Sequence, residues 1–104
     1  MDVIPSRPHN IGKRRPVTTI RGRTVHFIVK DEIVLASGRE KLIYFQKLQF
    51  EDDRRIEYRF GYYMRGYKPS RRGQWIWGQY CLMLAEKELT TLLKRARDKG
   101  WKGM

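Results

Sequence analysis

A chain of 104 residues has room for one domain with a modest core, and 23 Lys and Arg against 11 Asp and Glu give it a formal charge of +12. That charge opposes compaction unless a polyanion offsets it, which points to nucleic acid or an anionic surface as the partner. The single cysteine excludes an internal disulfide, and no apolar run is long enough to cross a bilayer. With no apolar stretch of the signal-peptide kind in residues 1–16, the expectation is a cytoplasmic protein with no membrane partner.

Residues 1–16 read as a flexible basic arm. Pro5, Pro8 and Pro16 interrupt regular structure, and Lys13, Arg14 and Arg15 form a cluster able to reach phosphates. The folded domain is expected over 17–104. Val17 to Ile20 and Arg23 to Lys30 alternate as strands around an Arg21-Gly22-Arg23 turn or bulge. Asp31 suits a helix cap, Ile33-Val34-Leu35 equally suit a continued strand, and Gly38 ends either. In 41–50 the recurrence of Leu42, Phe45 and Leu48 favours a helix, with a strand as the alternative.

Glu51-Asp52-Asp53 is an acidic turn. Arg55 to Arg65 is a strand, 66–73 a loop, and Gln74 to Leu84 the returning strand, with Cys81 as a buried thiol. Ala85 to Lys99 is an amphipathic helix, with Ala85, Leu89, Leu92, Leu93 and Ala96 on one face. Glu86 and Glu88 lie at its positive end and Lys94, Arg95, Arg97 and Lys99 at its negative end, as the helix dipole favours. Gly100 terminates it and leaves Trp101 placed to fold back. The resulting fold class is α+β, an antiparallel sheet covered on one face by the C-terminal helix.

The richest stretch is 54–80. Seven basic residues between Arg54 and Arg72 face one acid, Glu57, and eight of the thirteen aromatics lie between Tyr58 and Tyr80. Guanidinium groups neutralise phosphates and flat rings stack on bases, so this composition describes a surface for single strands, DNA or RNA. A symmetric loop would pair Arg65 with Gln74 and set residue 62 beside 77. Ile56, Tyr58, Phe60, Tyr62, Met64, Trp75, Trp77, Cys81 and Met83 would then form a core. Arg59, Tyr63, Arg65 and Tyr80 would line the binding face, around a gap where Gly61 meets Gly78. A shift of one residue would move both tryptophans onto the arginine face.

The run Ile56-Glu57-Tyr58-Arg59-Phe60-Gly61-Tyr62-Tyr63-Met64, followed by Lys68-Pro69-Ser70-Arg71-Arg72-Gly73, resembles the single-stranded-DNA-binding domain of the transcriptional positive coactivator family. Ser70 stands where that family's loop has glycine, and the strand after Gly73 is longer than the family's. The resemblance covers about a fifth of the chain. It implies a curved antiparallel sheet backed by a helix, a homodimer, and backbone contacts from Arg59, Lys68, Arg71 and Arg72.

No catalytic constellation can be assembled. His9 and His26 stand alone, and no phosphate-binding glycine loop, paired cysteine motif or metal-spaced histidines occur. The expectation is a non-catalytic binder with no cofactor and no metal, contacting nucleic acid through Lys13, Arg14, Arg15, Arg59, Tyr63, Arg65, Lys68, Arg71, Arg72 and Tyr80. A nuclease using Glu51, Asp52, Asp53 and Glu57 around a divalent ion is the enzymatic alternative. A basic adaptor for an acidic protein or a ribonucleoprotein is the third.

Overall fold

The computed structural model describes residues 6–66 and 69–103. Five antiparallel strands run in chain order: β1 (Arg14–Thr18), β2 (Thr24–Ser37), β3 (Lys41–Phe50), β4 (Ile56–Arg65) and β5 (Trp75–Trp77). A 3-10 turn at Pro69–Arg71 lies between β4 and β5, and α1 (Glu86–Asp98) closes the order. The sheet curls into a half-barrel with α1 against one face, so the expected α+β class is the observed one. No helix among the described residues is long and apolar enough to cross a membrane.

The long strand β2 explains how one sheet carries two cores. Its register against β3 slips between Val29 and Asp31, leaving Lys30 as an extra residue. A bulge of one residue inverts the alternation of everything after it. Before it, Val25, Phe27 and Val29 point to the concave face and pack with Leu48 and Phe50. After it, Ile33 and Leu35 point to the helix side and join Ile43, Phe45, Leu92, Ala96 and Trp101.

Strand β3 is therefore buried on both faces, with Leu42, Ile43, Tyr44, Phe45 and Gln46 each under 5% exposed. This corrects the helix expected over 41–50. A strand covered on both sides loses the apolar–polar alternation that distinguishes it, and the chance spacing of Leu42, Phe45 and Leu48 then imitates a helix.

The C-terminal helix forms as its sequence predicts. The backbone N–H of the capping residue Ala85 donates to Glu88 Oε1 at 2.9 Å. Gly100 takes a positive φ of 80°, and the Trp101 N–H returns to the Ala96 carbonyl at 3.0 Å, a Schellman-type ending. Trp101 thus folds back, stacks on Tyr58, meets Phe45 edge-on and donates from Nε1 to Asp31 Oδ2 at 3.1 Å. Asp31, a helix-cap candidate in the sequence, lies inside β2 and anchors the end of the helix.

Other boundaries differ as well. Strand β1 starts at Arg14, inside the stretch expected to be a flexible arm. Asn10 is buried, and its backbone N–H donates to Glu32 Oε2 at 2.9 Å. Pro8 and Pro16 interrupt helix but are compatible with an extended edge segment held by side chains, and Pro5 lies outside the described residues. The returning strand is only three residues long, and the chain from Gly78 to Ala85 is irregular. Cys81 is exposed, not buried, because no ladder carries it back over the sheet.

Candidate nucleic-acid interface

The hairpin register decides the face, and it is offset by one from the symmetric pairing. Tyr63 lies opposite Trp77, Met64 opposite Ile76 and Arg65 opposite Trp75. The 3-10 turn makes the loop take up one more residue, and the Gly66 N–H donates to the Gln74 carbonyl at 3.0 Å. Trp77 therefore leaves the expected core and joins the row of Arg59, Gly61, Tyr63 and Arg65.

Gly61 is the reason it fits. A Cβ at this position would lie 2.1 Å from Trp77 Cη2, so only glycine leaves room for the indole. Gly78 likewise admits the Tyr62 ring, with a Cβ 2.0 Å from its Cζ. Each glycine slot is filled by the protein's own ring, which replaces the open gap expected between Gly61 and Gly78.

With Trp77 over Gly61, the concave face gains a cation held between rings. The Arg59 guanidinium lies 5.0 Å from the Trp77 ring centroid and 4.9 Å from that of Phe27. Its Nε donates to Gln46 Oε1 at 2.7 Å, and Gln46 Nε2 donates to Glu32 Oε1 at 2.9 Å. Gln46 is fully buried, so this relay fixes the arginine from beneath. Burial lowers the Arg59 pKa from its ordinary value and the nearby Arg15 charge adds to this, while Tyr63 and the Glu32 carboxylate beyond Gln46 act in the opposite direction. Among the described residues, neither Arg59 nor Arg15 makes an ion pair.

Tyr63 is half-buried, edge-on to Tyr44 at 5.0 Å and to Trp77 at 4.9 Å. Its hydroxyl donates to Asn10 Oδ1 at 3.4 Å. Burial, and then the Glu32 charge, push the Tyr44 hydroxyl far above the usual phenol range, so it remains a donor to the Pro8 carbonyl. A cavity of about 280 Å³ opens in front of these groups, between the two edge strands. Arg15, Pro16 and Phe27 line one side, Arg59, Tyr63 and Trp77 the other, and Asn10 one end.

Of the residues the sequence singled out, Arg15, Arg59 and Tyr63 meet at this cavity. Arg65 continues the β4 row, and Lys13 extends the row of Arg15, its carbonyl accepting the Val29 N–H at 3.0 Å. Arg14 points away and pairs with Glu51 at 2.6 Å. Arg71 and Arg72 are exposed in the loop, and Lys68 lies outside the described residues. Tyr80 is 87% exposed beyond the end of β5, its N–H donates to the Tyr62 hydroxyl, and it does not line the cavity at Arg59. Trp77, Phe27, Asn10 and Gln46 were not among the expected site residues. A glycine within a strand of large residues was the available signal, because it marks where another group comes close.

The acidic turn is engaged by arginine. Arg55 Nη1 lies 3.2 Å from Asp52 and 3.0 Å from Asp53, and its Nε 2.6 Å from Glu57. Among the described residues, no group of three or more His, Cys, Asp or Glu is arranged to hold a metal ion. No family model matches the chain, and neither the curated proteins nor the solved structures include a significant match.

Proposed function

We propose that the protein is a non-catalytic nucleic-acid binder that takes single strands on the concave face of its sheet. One observation carries the reading. Arg59 is a half-buried cation between two aromatic rings, tied to a neutral amide and facing a second arginine across an open cavity. A half-buried charge with no direct counter-charge among the described residues is costly, and two facing arginines add repulsion, so an anion arriving at the cavity relieves both. Rings around that anion add a surface for a base. Lys13 and Arg65 extend the positive row beyond the cavity. The stretch resembling the positive coactivator domain contributes Arg59 itself, which adds support.

The test is a titration of single- and double-stranded DNA and RNA at several salt concentrations. Each phosphate neutralised on a single strand should contribute about −0.7 to the log–log salt slope. Single strands should bind more tightly than duplexes, with a steep slope. An affinity indifferent to salt, or no binding to any of the four, defeats the proposal and favours an acidic protein partner.

A further inference from the structure

We infer that the concave cavity seats the terminal nucleotide of a strand, with its phosphate monoester, and not a run of internal nucleotides. The inference rests on the single-strand reading and narrows it. The first ground is a barrier. Asn10 donates to Glu32 from both its backbone N–H and its side-chain amide, and accepts from the Tyr63 hydroxyl. Pro8 accepts from Tyr44. Glu32 is on β2, Tyr44 on β3 and Tyr63 on β4, so residues 8–10 bridge the concave face across three strands. A strand running along the groove past Arg59 meets this bridge and has to stop.

The second ground is size. About 280 Å³ is just below the range for small-molecule pockets, which begins at about 300 Å³. That is room for one nucleotide unit. The third ground is charge. An internal phosphodiester brings one negative charge, whereas a monoester carries about −1.5 to −2 at neutral pH. Two arginines with no ion-pair partner among the described residues face the cavity, and a forked guanidinium suits the several oxygens of a terminal phosphate. With Nε of Arg59 held by Gln46 and rings over its faces, its remaining N–H groups are the donors left for those oxygens.

The experiment compares four single strands of one sequence: 5′-phosphorylated, 3′-phosphorylated, hydroxyl-ended, and covalently closed into a circle. One phosphorylated linear strand should bind roughly tenfold or more tightly than the circle, the fold-change of a single charged hydrogen bond. Which of the two phosphorylated strands it is identifies the end recognised. Arg15→Gln, at an exposed position, should shrink the preference while leaving the melting temperature unchanged. If the circle, or the hydroxyl-ended strand, binds as well as both phosphorylated strands, the end seat is overturned and the single-strand reading stands. If none of the four binds, both fall together.

Discussion

The helix-side face and the concave face of this sheet are both rich in rings, but the rings have different neighbours. On the helix side Phe45 stacks on Phe60 at 4.1 Å and meets Trp101, which lies on Tyr58, and Leu92 and Ala96 close the layer without exposure. On the concave side Phe27, Tyr63 and Trp77 surround a guanidinium and an amide relay beside open space. Aromatic residues alone do not say which face is core. What separates the two is the covering helix on one side and, on the other, polar groups held in fixed geometry beside a cavity. Four perturbations probe this difference, from the largest expected effect to the smallest.

Trp101→Ala removes a ring that is 5% exposed and its hydrogen bond to Asp31. The expected loss is about 3–5 kcal/mol of stability, enough to unfold much of a small domain. Urea denaturation measures it, and a loss under 1 kcal/mol, on the order of a surface change, would break the contrast from the helix side.

Gly61→Ala attacks the concave side. Its methyl would collide with Trp77, so the indole must swing out of its seat. Overpacking of this kind costs roughly 1–3 kcal/mol, reduced here because the ring is only partly buried and has somewhere to go. Oligonucleotide affinity should fall with it. A variant with native affinity would show that the position of Trp77 is irrelevant to binding.

Acid titration separates the layers by charge. Burial alone would raise the Asp31 pKa, but hydrogen bonds from Trp101, Lys99 and the Glu32 N–H outweigh it and hold the carboxyl below its usual range. With the folded value depressed, its contribution is complete above the unfolded value of about 4 and is lost as pH falls through the lower folded value. Asp31→Asn should cost about 1–2 kcal/mol at neutral pH and flatten the acid limb of a stability–pH curve. An unchanged acid limb would remove Asp31 as the latch between β2 and the helix end.

Tyr80→Ala should do least. The ring is largely in solvent, away from Arg59, and both stability and affinity should stay within about 0.5 kcal/mol of wild type. A clear loss of binding would extend the interface around the β5 edge.

Much of this architecture was legible in the residues. The α+β class, the strand through Tyr58 and Tyr63, the capped helix and the return of Trp101 all follow from local pattern and punctuation. The missing parts depend on tertiary geometry. The bulge at Lys30 carries no signature of its own, yet it divides β2 between two cores. Strand β3 lost its alternation by being central. The register of β4 against β5 depended on how many residues the loop consumed, and a single residue moved Trp77 from one face to the other. Arg59, Tyr63 and Arg15 were singled out from composition and meet at the cavity, whereas Gln46 and Asn10 join them through folding that brings distant residues together.

Which face meets the ligand is reported directly by the tryptophan side chains. Titrating a single-stranded oligonucleotide into ¹⁵N-labelled protein and following the indole N–H resonances compares Trp77 with Trp101 in one spectrum. The Trp77 signal should shift or broaden progressively, while the Trp101 signal, buried and bonded to Asp31, should hold its place. A shift of Trp101 with Trp77 unmoved would place binding on the helix side and contradict the account.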